Sequence, residues 1–133
     1  MTTPESNRVT LIVPPIATMV RVGRLTASSI ASLADMSVDD IDDIKIAVSE
    51  MITLLIQRGN RSLVTLRFET TPDLFAVEAS TPASSLDLGR NDVALATAVL
   101  DAVTDKNEIS FIDDRILMRF TKATGTSATS SLA

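Results

Sequence analysis

The sequence predicts an α+β domain, a two-layer sandwich with helices packed on one face of a mixed β-sheet. Three observations lead there. Apolar residues recur at helical spacing through two consecutive stretches, and the period then switches to two. The elements also fall into separate runs: strand, helix, helix, strand, strand, helix, strand, strand. A chain of 133 residues is long enough for one domain with a real core, and 45% hydrophobic residues beside 22% charged ones describe a folded chain.

The first strand is the β-branched run Val9-Thr10-Leu11-Ile12-Val13, stopped by Pro14-Pro15. Ile16, Met19, Val20, Gly23, Ala27, Ile30, Ala31 and Ala34 then mark a helix with a narrow seam. Gly23 inside it costs about 1 kcal/mol relative to Ala, which predicts close packing against a neighbour. Ser37 followed by Asp40 gives the next helix its N-cap. Asp39, Asp40, Asp42 and Asp43 crowd its first turns, either to complement the helix dipole or to hold a cation or a basic partner helix. Its buried face is Ile41, Ile44, Val48, Met51, Ile52 and Leu55, and Gly59 ends it.

From Leu63 the period is two. Val64, Leu66 and Phe68 alternate with polar residues, Thr71-Pro72-Asp73 turns the chain, and Phe75, Val77 and Ala79 return to the same core. A loop over Ser80 to Asn91 leads to a short helix near Val93 to Val103. Strands near Glu108 to Ile112 and Arg115 to Lys122 follow, joined at Asp113-Asp114. Residues 8–122 form the domain, with flexible tails expected at 1–7 and 123–133.

Composition narrows the chemistry. A net charge of −5 and a pI near 4.6, with no basic stripe, argue against direct binding of nucleic acid. Without Cys or His there is no thiol chemistry, no imidazole base and no Ser-His-Asp site, and no resident metal is expected. The polar start and the Pro14-Pro15 break predict no signal peptide, and no apolar run reaches membrane-spanning length. A cytoplasmic protein that binds other proteins is expected.

The second helix carries a resemblance. Ile44-Lys45-Ile46-Ala47-Val48-Ser49-Glu50-Met51-Ile52-Thr53 resembles the N-box helix of the bacterial anti-sigma factor/serine-protein kinase family, in the GHKL ATPase superfamily with its histidine-kinase-like ATPase fold. Arg24 to Asp35 is similar to that family's first helix, in sequence and in its distance from the N-box. The resemblance covers roughly Val9 to Lys122 and is weak after Ala79. The Glu-x-x-Thr-x-Leu-Ile pattern from Glu50 is most similar to actinobacterial members.

The resemblance also implies losses. Active members use a Glu as general base and, four residues on, an Asn that binds magnesium. Here Glu50 is kept, but the Asn position is Leu54, which offers a hard cation no oxygen. The family's downstream His position is Arg58. The adenine-binding Asp-x-Gly-x-Gly motif falls on Ala79-Ser80-Thr81-Pro82-Ala83, with Asp87-Leu88-Gly89 either a displaced copy or a chance match. The phosphate-cradling Gly-Leu-Gly-Leu falls on Ala94-Leu95-Ala96-Thr97, where Ala94 and Ala96 each add a Cβ.

The implied function is an anti-sigma-factor-like regulator with a degenerate nucleotide pocket. It would sequester an alternative sigma factor as a homodimer assembled through the first strand and helix, and be antagonised by an anti-anti-sigma factor of the STAS type. Arg24 aligns with the family's sigma-contacting arginine and Arg21 lies beside it on the same helix; an ordinary solvated arginine is the plainer reading of each. Glu50 is either a vestigial general base or a solvated, partner-facing carboxylate. No cofactor is expected. The alternative is an active serine-protein kinase phosphorylating an anti-anti-sigma factor, which would need ATP and magnesium.

Overall fold

A computed structural model describes residues 7–124. Its elements are β1 (Asn7–Val13), α1 (Met19–Leu33), α2 (Val38–Arg58), β2 (Val64–Thr70), β3 (Leu74–Pro82), α3 (Asn91–Val103), β4 (Lys106–Ile112) and β5 (Arg115–Ala123). The tails expected at 1–7 and 123–133 lie outside the described residues except at their inner ends. There Asn7 opens β1, Ala123 closes β5, and Thr124 donates its hydroxyl to the Pro72 carbonyl at 2.7 Å.

The five strands form one sheet in the order β1-β2-β3-β5-β4, and every pairing is antiparallel. This corrects the mixed sheet expected from the element order. Two helices in series separate β1 from β2, so the chain reverses three times and β2 enters antiparallel to β1. The single helix α3 leaves β3 and β4 running the same way, the arrangement that would make a mixed sheet. Their hairpin partner β5 inserts between them instead, so they never pair. The β4–β5 turn needs only Asp113 and Asp114, at φ 52 and 57, the left-handed pair that suits a two-residue hairpin.

β3 reaches three residues into the stretch expected as loop, through Ser80, Thr81 and Pro82. Thr81 pairs with Ile116 and is 1% exposed, while its hydroxyl donates to the Leu63 carbonyl at 3.0 Å. Pro82 is tolerated as the last strand residue, where no ladder N–H is required of it.

All three helices cover one face. Val64, Leu66 and Phe68 of β2, Phe75, Val77 and Ala79 of β3, and Ile116, Met118 and Phe120 of β5 point into the core with the apolar side of α2. Phe75 and Phe120 stack at 6.4 Å between ring centres. Met51 is fully buried and Met19 packs partly buried beside the core. The α1 seam is Gly23, Ala27 and Ala31, and a Cβ at Gly23 would collide with Ile52 Cδ1 on α2. The glycine is there for close approach.

Ser37 caps α2 as expected, its Oγ accepting from Asp40 N–H at 3.1 Å. Gly59 ends that helix with φ −77, so no left-handed turn demands a glycine. A Cβ there would sit 2.6 Å from Thr81 Cγ2 and 2.8 Å from the Leu55 carbonyl, so the requirement is space.

Candidate functional site

Residues four apart stack along one side of a helix, and Glu50, Leu54 and Arg58 make such a strip on α2. The three environments differ. Glu50 is half-buried at the edge of the core, and Leu54, only 3% exposed, belongs to the core itself. Arg58 reaches across to the start of α3, its Nε 2.8 Å from Asp92 Oδ2, an ion pair whose N–H is poorly aligned for a hydrogen bond.

Asp92 is the pivot of this corner. Its Oδ1 accepts from the Val93 N–H at 2.9 Å and lies 3.4 Å from Arg90 Nε. A carboxylate in the first turn of a helix is favoured by the dipole, the same physics that draws a phosphate to such a place. The chain thus supplies its own anion at the N-terminus of α3. Of the residues assigned to the phosphate cradle, Ala94 is exposed and Ala96 is 2% exposed in the core. Leu95 between them is 65% exposed.

Ala79 is not drawn into this corner. It sits in β3 between Leu66 and Met118, fully buried under the helices. Asp87 is exposed, and its carboxylate accepts from the Gly89 N–H at 2.9 Å, closing a local turn.

Arg21 and Arg24 come together elsewhere. With Ala17, Thr18 and Val20 they line a shallow cleft of about 440 Å³ at the start of α1. Arg21 is exposed and Arg24 half-buried. Around the helix from that seam, Val22, Leu25 and Leu33 are 38%, 57% and 86% exposed, an apolar stripe with no cover among the described residues.

Two residues of consequence had no prior assignment. Asp92 carries a sequence signal, an acid just before a run of helix formers, but its pairing with Arg58 spans 34 positions. Lys122 carries none. It lies on the core side of β5 with an 11%-exposed side chain, its Nζ 3.3 Å from Asp43 Oδ2, 3.7 Å from Asp40 Oδ1 and 3.1 Å from the Val103 carbonyl. Half of the acidic run on α2 therefore holds an internal cation. Asp39 and Asp42 remain exposed, with Asp42 3.7 Å from Lys45.

Among the described residues no helix is long and apolar enough to cross a membrane, and no three carboxylates converge as a metal site.

No protein-family profile matches the chain. Curated relatives do. The serine-protein kinase RsbW of Listeria innocua is 35% identical over 86 residues, which span 62% of this chain and 55% of that protein. RsbW of Listeria monocytogenes matches over the same spans at the same identity. RsbW of Staphylococcus aureus is 35% identical over 80 residues, 56% of this chain and 50% of that one. The chain spans about half the length of the curated relatives it matches. This similarity bears out, at the level of the family, the resemblance carried by α1 and α2.

Proposed function

We propose that the protein is an anti-sigma-factor-like regulator that acts by binding, with its nucleotide pocket largely lost. It sequesters an alternative sigma factor as a homodimer, and an anti-anti-sigma protein of the STAS type releases that factor. Arg24, with Arg21 beside it in the α1 cleft, is the contact to the sigma factor, since a planar guanidinium pairs well with carboxylates at an interface centre.

The observation that carries this reading is the closed corner between α2 and α3. Where the family resemblance places a magnesium ligand there is a buried leucine, Leu54. Where it places phosphate against bare backbone there is the Arg58–Asp92 ion pair and the buried Ala96. Phosphoryl transfer depends almost wholly on positioned metal and phosphate donors, so losing both removes its basis.

A second reading keeps the enzyme. Glu50 is still half-exposed, and the relatives are named serine-protein kinases. In that case Glu50 acts as general base toward a serine of the anti-anti-sigma factor, with ATP and magnesium bound.

Calorimetric titration of the protein with ATP and magnesium separates the two. No heat at high protein concentration supports the binding role, and Arg24→Ala then weakens sigma-factor capture in a pull-down. Magnesium-dependent binding in the micromolar range gives the kinase reading the lead, with Glu50→Ala as the next variant.

A further inference from the structure

On the reading above, the corner between α2 and α3 is a nucleotide site that no longer works. Its two halves have failed differently. On the metal side Leu54 is part of the core, and no oxygen is left there for a cation. On the anion side the donors are still in place.

α3 starts from Arg90, an N-cap residue whose side chain has no oxygen to accept from the first helical N–H groups. Among the described residues the N–H groups of Asn91 and Asp92 have no acceptor, and that of Val93 is met by Asp92 Oδ1 at 2.9 Å. Two guanidiniums converge on the same carboxylate. Arg90 Nε lies 3.4 Å from Oδ1 and Arg58 Nε 2.8 Å from Oδ2, with the Arg58 and Asp92 side chains 29% and 28% exposed. Arg58 Nε is itself buried and still lacks an aligned acceptor. One negative charge thus faces two positive ones and the positive end of a helix. A phosphate group, at about −1.5 to −2 near neutral pH, matches such a set more fully than a carboxylate does.

Resting on that reading, we propose that Asp92 is a built-in stand-in for a phosphate group, an internal ligand that keeps the start of α3 shut. The anion half of the site is therefore occupied and not dismantled. Removing this one carboxylate opens a site for a terminal phosphate, held by Arg58, Arg90 and the first N–H groups of α3. Magnesium adds nothing to it, because Leu54 stays where it is. An ordinary structural ion pair accounts for the Arg58–Asp92 contact. It leaves unexplained the second arginine and the unfilled donors around the same carboxylate.

Thermal unfolding of the full chain in inorganic phosphate, against sodium chloride at equal ionic strength, tests this. Phosphate stabilises folded proteins in general, so the quantity read is the gain of a variant beyond that of the wild type. Asp92→Ala is expected to unfold at a lower temperature in chloride, where Arg58 has lost its partner. In phosphate it should regain part of that loss saturably, with a dissociation constant of about 1 mM. Arg58→Met added to Asp92→Ala should bring the gain back to the wild-type level. If Asp92→Ala does not fold in chloride, Asp92→Ser, whose hydroxyl accepts from the helix start, makes the same comparison. A variant that gains no more than the wild type overturns the proposal, as does a gain that survives Arg58→Met. ADP without magnesium, titrated into Asp92→Ala, separates the stand-in from the reading beneath it. Affinity equal to that of phosphate agrees with both. ADP bound at least tenfold more tightly keeps the stand-in and overturns the loss of the base pocket.

Discussion

At the scale of single residues, the side chain with the most to lose is Lys122. Its ammonium group ties the N-terminus of α2, through Asp40 and Asp43, to the last carbonyl of α3 and to β5. Asp40 and Asp43 keep side chains 29% and 38% exposed, so water can rehydrate them if the lysine is removed. The loss is then that of charge-assisted hydrogen bonds, about 2 kcal/mol. Lys122→Met is expected to lower stability by about that amount in urea unfolding with the slope unchanged; equal midpoints would show that the three contacts contribute nothing net. In the sequence this lysine is one basic residue near the end of a strand. Its partners lie 79 and 82 positions away, so the local pattern leaves open whether the acidic run serves the helix dipole or holds a cation. Arg58 and Asp92 teach the same lesson, since each is legible by itself and only the pairing is not.

At the scale of elements, α1 and α2 are the pair on which the domain turns. Local signals placed both well: the Ser37 cap, the acidic first turn and the three-four spacing all act within a few residues. The seam between them is where a small change does most. In an exposed helix Gly→Ala gains about 1 kcal/mol. At Gly23 the added Cβ meets Cδ1 of Ile52, which is fully buried. Overpacking of this kind costs about 1–3 kcal/mol, so Gly23→Ala is expected to be destabilising by up to about 2 kcal/mol overall. Ile52→Val removes the colliding Cδ1. In a double-mutant cycle it should recover part of that loss, and strictly additive effects would count against the collision. The boundaries that moved, such as β3 extending to Pro82, moved because a neighbouring strand supplied hydrogen bonds that the local sequence does not advertise.

At the scale of the whole molecule, helices and sheet share one core. Residues from α1, α2, α3 and four strands all contribute to it, so no half of the chain holds an apolar interior of its own. Unfolding is therefore expected to be a single cooperative transition. With no Trp or Tyr as reporter, far-UV circular dichroism and the slowest amide hydrogens should give the same free energy. A slow-exchanging sheet that outlives the loss of α1 would show that the layers fold separately. The same shared core explains the candidate site. Leu54, Ala79 and Ala96 fill the interior on three different elements, each at most 3% exposed, and what remains at the surface between α2 and α3 is held by Arg58 and Asp92.

The sequence by itself determined the two-layer architecture, the identity and order of all eight elements, both helix caps of α2, and the family resemblance, because each rests on periodicity or on residues within one helix. It also determined which chemistries the chain lacks, since absent residue types cannot be supplied by folding. Tertiary structure alone decided the strand order that made the sheet wholly antiparallel, the cation that half the acidic run holds, and the ion pair at the start of α3. These depend on which distant segments meet, and in a folded chain that is set by how all apolar faces are buried together. A pattern read locally fixes which face of an element is apolar. It leaves open what that face, or the polar one behind it, will touch.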